Sequence, residues 1–261
     1  MPNYQCAPMS DIAIQAVDIS KDFGHIRALQ SASVTVHKGE IVALVGDNGA
    51  GKSTLMKIMS GAELPDRGEI GVDGQPTRLL SVRDAHALGI ETVYQDLALA
   101  PHLTVAQNVF LGHEVVLPKI GGKLGLLAKQ EMARDAADAL QALGIGIGDA
   151  KVRVSELSGG QRQAVAIARA MKWARSVLLM DEPTAALGVR QTAIVLQTMR
   201  TAAKRGLGVL VVSHDMPHML NVANRIVVMR HGRVVANFAA DETDIQTIAA
   251  AMLGSTTSGD L

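Results

Sequence analysis

Apolar and polar residues alternate from Ile12 to Ile19 and again from Ser31 to Val36, the period of two that marks half-buried strands. Lys38-Gly39-Glu40 reads as a turn. Ile41 to Val45 is an unbroken apolar run, suited to a central strand buried on both faces. It feeds a glycine-rich loop and then a helix from Lys52 to about Ser60. Glu69 to Val72 and Ile90 to Tyr94 read as further strands. From Leu97 to about Ser155 the pattern changes to Ala-rich helical segments, chiefly Lys129 to Leu143, with glycines at 121, 122, 125, 144, 146 and 148 as loose connectors. A helix follows over Arg162 to Met171. Parallel-strand patterns return at Val177 to Met180 and Val209 to Val212, with a helix over Val189 to Lys204 between them. Ile226 to Met229 and Arg233 to Phe238 form a hairpin turning at His231-Gly232, and the tail from Gly254 is small and polar. The expectation is an α/β protein with an inserted helical subdomain and no long internal repeat.

Composition narrows the class. The chain has 261 residues, enough for one large α/β domain or a core with a subdomain. Hydrophobic residues make up 48% but aromatics only 2%, so Ala, Val, Ile, Leu and the 12 Met carry the packing. The 25 basic and 25 acidic residues cancel, which argues against a general nucleic-acid binder. The single cysteine, Cys6, cannot form an internal disulfide, which fits a reducing compartment. No run reaches the roughly 18 apolar residues of a membrane span. Met1 to Asp11 lacks the basic and apolar regions of a signal peptide.

Three short segments carry chemistry. Gly46-Asp47-Asn48-Gly49-Ala50-Gly51-Lys52-Ser53 matches G-x-x-x-x-G-K-[ST] in full, between a buried strand and a helix, and Thr54 continues it. Such a loop cradles phosphates on its backbone N–H groups, brings Lys52 to the β- and γ-phosphates, and offers the Ser53 hydroxyl to Mg²⁺. Val177 to Met180 leads into Asp181-Glu182, two carboxylates at the C-terminal end of a strand, where ligands of such sheets bind. Asp181 there can hold Mg²⁺, and Glu182 is placed to polarise an attacking water; a solvated acidic loop is the plainer alternative. Leu157-Ser158-Gly159-Gly160-Gln161 is a second glycine-rich loop, whose glycines are free to take φ > 0 and approach a ligand closely. With a helix after it, it makes a second anion-binding helix start. One nucleotide needs only one, so the second makes sense if it serves a nucleotide held by another copy.

In that order, Gly46–Ser53, Leu157–Gln161 and Asp181–Glu182 resemble the nucleotide-binding subunit of an ATP-binding cassette (ABC) transporter, over roughly Ile12 to Phe238. The resemblance implies a P-loop NTPase (RecA-like) core with an N-terminal antiparallel β subdomain and an inserted α-helical subdomain. It implies one ATP-binding domain over 10–254: core and β subdomain in 10–96 and 165–240, helical subdomain with the signature loop in 97–164, and a flexible tail at 255–261. It further implies that Gln95 senses the γ-phosphate and Mg²⁺ and joins core to helical subdomain, that His214 contacts the γ-phosphate, and that Phe23 stacks on adenine. His214 and His218 are four apart, but Pro217 between them and the lack of a third ligand disfavour a metal site.

In most of the family the loop after Pro183-Thr184 ends in an aspartate that crosses to the partner's site; here the run is Ala185-Ala186-Leu187-Gly188. The glycine resembles a branch of monosaccharide importers of fructose or ribose type, as do Asp47-Asn48, Thr92 to Leu99 and Phe110-Leu111-Gly112. The implied cofactors are ATP and Mg²⁺. The implied partners are a second copy in a head-to-tail dimer, transmembrane permease subunits and, indirectly, a periplasmic sugar-binding protein, with no nucleic acid. The implied place is the cytoplasmic face of a bacterial inner membrane, peripherally bound. A cassette for another small solute and a soluble ABC ATPase are the alternatives.

Overall fold

The alternation at the start of the chain belongs to two long paired strands, β1 (Ile12–Phe23) and β2 (Ile26–His37). Both run beyond their regular alternation because bulges break the period. Asp18 and Ser31 take positive φ, and the β1–β2 register shifts between Ala16 and Ile19. The computed structural model describes residues 11–117, 125–143, 149–185 and 187–254. Cys6, the reading of residues 1–10, the glycines at 121, 122, 144, 146 and 148, Ala186 and the tail 255–261 lie outside them.

The chain divides into two compact units. The first comprises residues up to Thr92, Ala174–Glu182 and Met199 onward. It holds an antiparallel sheet of order β2-β1-β4-β5, with β4 (Arg67–Val72) and β5 (Gln75–Thr77). It also holds the mainly parallel sheet β10-β9-β3-β8-β7-β6. Here β3 is Ile41–Gly46, β6 Ile90–Val93, β7 Val177–Asp181 and β8 Gly208–Val212; β9 (Arg225–Arg230) and β10 (Arg233–Ala239) form the antiparallel edge hairpin. Every residue of β3 and β8 is buried, which explains their unbroken apolar runs. Ile14, Val36, Leu44, Leu55, Ile90, Leu179 and Val212 belong to one core that joins both sheets to α1 (Lys52–Met59).

Helices α2 (Val82–Ala87), α7 (Met216–Val222) and α8 (Ile245–Leu253) also lie in this unit and are additions to the sequence reading. Each starts at a side-chain cap: Ser81, Asp215 and Asp244 accept from backbone N–H groups of Asp84, His218 and Thr247.

The second unit comprises Val93–Trp173 and Pro183–Thr198. Its helices are α3 (Val105–Val109), α4 (Lys129–Ala142), α5 (Gly159–Trp173) and the start of α6 (Val189–Lys204). Met132, Ala136 and Leu140 recur every fourth residue on α4 and pack with Val105, Val109, Phe110, Val154 and Val165. Trp173, at the end of α5, donates Nε1–H to Val109 O at 2.8 Å and meets Phe110 edge-on at 5.5 Å. No described helix is long and apolar enough to cross a membrane.

Candidate nucleotide-binding site

The loop between β3 and α1 is shaped by glycines where the backbone closes on itself. Gly46 has φ 151°, and a Cβ there would lie 2.2 Å from Met229 O. Gly51 has φ 101°, and its Cβ would meet Ala28 O at 2.7 Å and Leu29 Cδ2 at 2.8 Å. Neither position admits a side chain. Gly51 is also the N-cap of α1 and makes no side-chain cap bond. The first-turn N–H groups of α1 therefore have no capping side-chain oxygen and are open to an anion.

Lys52 is the first residue of α1 and is only 6% exposed. Its Nζ donates to Gly46 O at 2.7 Å and Asp47 O at 2.9 Å, folding the side chain back over the loop. Burial pulls its pKa down, and the nearby carboxylates of Glu182, Asp47 and Asp181 oppose that.

The parallel register sets the second half of the group. Asp181 pairs with Val212, so β7 and β8 end level and deliver Asp181-Glu182 and Ser213-His214 side by side. His214 Nε2 lies 2.8 Å from Glu182 Oε1. Glu182 holds φ 50°, and its N–H donates to Val212 O at 3.0 Å. A non-glycine residue in the left-handed region marks stored strain. Burial raises the pKa of both Asp181 and Glu182; Lys52 and His214 act in the other direction.

Asp181 Oδ1 is buried with no hydrogen-bond partner. An orphaned carboxylate oxygen of this kind is what a hard cation satisfies. The donor set of Asp181 and the exposed Ser53 hydroxyl, all oxygen, fits Mg²⁺.

The structure thus brings Lys52, Asp181, Glu182 and His214 together in the first unit. Phe23 lies in the same unit, 47% exposed at the β1–β2 tip, with Lys21 Nζ 5.3 Å from its ring centroid. His218 does not join His214: its Nδ1 pairs with the Asp215 carboxylate. Gln95 and Ser158–Gln161 belong to the second unit, Gln95 exposed at the start of a turn.

Two expectations for 158–161 need correction. The helix starts at Gly159, not Arg162, and Gly159 and Gly160 take no positive φ. Ser158 Oγ accepts from Gln161 N–H at 3.3 Å while Gln161 Oε1 accepts from Ser158 N–H at 2.9 Å. This is a capping box, so both polar side chains stabilise the helix end and the glycines are its first turn. Gln191, missed in the sequence, lies against both Gly160 and Gly188: a Cβ at either would sit 3.0 or 2.9 Å from its side chain.

Comparison with known proteins follows the same lines. The family model described as "ABC transporter" matches residues 29–185. The xylose/arabinose import ATP-binding protein of Sulfolobus acidocaldarius is 45% identical over 94% of this chain and 94% of its own. The chain therefore belongs to the ABC transporter family. The fructose import ATP-binding protein of Rhizobium meliloti is 46% identical over 84% of this chain and 85% of its own. Among solved structures, a dimeric ATP-binding cassette in a post-hydrolysis state with ADP and phosphate superposes with TM-score 0.74 at 27% identity, covering 87% of this chain and 98% of that one.

Proposed function

We propose that the chain is the ATP-hydrolysing subunit of an importer that takes up a monosaccharide of fructose, ribose or pentose type. The observation that carries hydrolysis is the grouping of Lys52, Asp181, Glu182 and His214 around the loop 46–53. The sugar rests on the two relatives, both named as sugar import ATP-binding proteins. Adenine would stack on the exposed Phe23 ring and the phosphates would lie on the loop amides. A charged phosphate oxygen is a stronger acceptor than the neutral carbonyls of Gly46 and Asp47, so Lys52 would turn to it. Mg²⁺, held by Ser53, Asp181 and Gln95, would supply charge neutralisation to the transferring phosphoryl group. Glu182 takes the proton of the attacking water, whose oxygen bonds to the γ-phosphorus as the bond to ADP breaks. Burial makes Glu182 the better base. His214 holds the γ-phosphate, exchanging its contact with Glu182 for one with the substrate.

The second half of each site comes from Ser158–Gln161 of another copy, so two chains pair head to tail around two ATP. The helical unit, hinged at Gln95, passes closure to membrane-embedded permease subunits. A periplasmic sugar-binding protein delivers the cargo, and no nucleic acid takes part. On this reading the chain works peripherally at the cytoplasmic face of a bacterial inner membrane.

The test has two arms. Purified chain with Mg-ATP should release phosphate at a specific rate that rises with protein concentration, as pairing requires. Deleting the gene should abolish uptake of one labelled sugar among fructose, ribose, xylose and arabinose. Uptake of all four unchanged would remove the sugar assignment, leaving a cassette for another solute.

A further inference from the structure

Gln95 opens a turn in which two consecutive non-glycine residues, Leu97 (φ 63°) and Ala98 (φ 43°), occupy the left-handed region. L-residues rarely adopt such a pair unless something outside the turn holds it. Within the turn, Leu97 N–H donates to Tyr94 O at 2.9 Å and Ala98 N–H to Asp96 Oδ1 at 3.2 Å. From outside, Arg169 of α5 reaches both strained residues: Nη1 donates to Ala98 O at 2.7 Å and Nη2 to Leu97 O at 3.1 Å. A planar guanidinium presents its donors as a rigid fork, which a lysine cannot imitate.

The same helix begins at the Ser158–Gln161 box, eleven residues before Arg169, or about 16 Å along the axis. Between them, the buried Gln163 donates Nε2–H to Pro183 O at 2.9 Å, holding the segment that follows Glu182. One rigid helix therefore carries the 158–161 turn at its end, the 183 segment near its start and the Gln95 turn further along.

We infer that Arg169 is a positioning residue that locks the Gln95 turn to α5, so that occupancy at Ser158–Gln161 sets the orientation of Gln95. The inference rests on the functional reading above, in which Ser158–Gln161 meets the other copy's nucleotide and Gln95 serves the chain's own. It supplies a route for communication between the two sites in a chain whose 188 position has no carboxylate.

The experiment compares wild type with Arg169→Met, Arg169→Lys and Ala98→Gly in the full chain. It records melting temperature, binding of a fluorescent ATP analogue at dilutions where copies are separate, and ATPase rate against ATP. Arg169→Met should bind the analogue within about twofold of wild type, yet lose about tenfold or more in kcat with KM moved less, its Hill coefficient falling from the wild-type value toward one. Arg169→Lys should fall between. Ala98→Gly keeps both carbonyls and relieves the φ strain, so its kcat and Hill coefficient should match wild type. Wild-type kcat and cooperativity in folded Arg169→Met would overturn the inference, as would equal losses in Ala98→Gly. Where Arg169→Met fails to fold, wild-type cooperativity in Arg169→Lys overturns it instead. Wild type without cooperative turnover would sink the functional reading itself, visible before any substitution is made.

Discussion

Replacing Glu182 by Gln isolates the proposed proton-accepting role from everything else that residue does. The backbone φ of 50° and the N–H bond to Val212 O are indifferent to the change. The Gln side-chain oxygen can still accept from His214 Nε2–H, now 2.8 Å from the carboxylate. Only the ability to take a proton from water is lost. General-base catalysis contributes about two to four orders of magnitude, so turnover should fall at least about a hundredfold, or roughly 2.7 kcal/mol of barrier. Titration with a fluorescent ATP analogue should give unchanged affinity, and phosphate release should report the loss. The melting temperature separates chemistry from folding. Glu182 is a charge held away from water by its surroundings, so a neutral amide there removes a cost and leaves the melting temperature unchanged or higher. Phosphate release within about threefold of wild type would refute the assignment. A large drop in melting temperature would instead make Glu182 a structural residue.

Gly51→Ala combines left-handed strain with a Cβ 2.7 Å from Ala28 O, for an expected loss of about 2–5 kcal/mol in denaturant unfolding; a loss under about 1 kcal/mol would contradict the reading. Ser158→Ala removes one arm of the capping box and should lower stability by about 1 kcal/mol while ATP binding by separate copies is kept. An equal melting temperature would show the cap to be unimportant. Gly188→Asp should fold normally, because its Cβ meets only the mobile end of Gln191, and should steepen the ATP dependence of turnover; an unchanged Hill coefficient sinks the idea that the glycine weakens coupling. Asp66 has its pKa lowered first by the Asp22 N–H and then by Lys21. A lowered carboxylate pKa stabilises above its unfolded value and loses that contribution as pH falls through the folded one. Asp66→Asn should thus melt lower than wild type at neutral pH, with the difference closing below about pH 4. A gap that persists in acid would assign it to packing.

The chemistry was more legible than the architecture. Lys52, Asp181 and Glu182 announce themselves through motif spacing, whereas His214 is reached only through the family resemblance, and it is the parallel register of β7 and β8 that sets it beside Glu182. The short helices were hidden because five to nine residues show no reliable period. Their caps were in plain view: Ser81 before Asp84, Thr104 before Gln107, Asp215 before Pro217, Asp244 before Thr247. The same rule, applied to Ser158 and Gln161, would have started α5 at Gly159. The strands β1 and β2 outran their alternation because a bulge at Asp18 resets the period. Arg169 could not be found from the sequence by pattern. Its partners are backbone carbonyls, which carry no residue signature, and an arginine on a helix reads as a solvated surface group.

The helix starts of α1 and α5, both proposed to bind phosphate, differ in a way that orders their use. At α1 the cap is a glycine at φ 101° with no side-chain bond, so no capping side chain among the described residues competes with a ligand for the first-turn amides. At α5 the reciprocal Ser158–Gln161 bonds engage two donors, Ser158 N–H and Gln161 N–H, and leave Gly159 and Gly160 to offer the remaining amides. An uncapped start backed by Lys52 has the greater electrostatic demand for phosphate. A self-capped start is already ordered and has less to gain. On the proposed reading, ATP loads first on the 46–53 loop of one copy, and the 158–161 turn of the other closes onto phosphates already held. The capping box lets that second surface wait in its binding shape, so little ordering entropy opposes pairing when the nucleotide arrives.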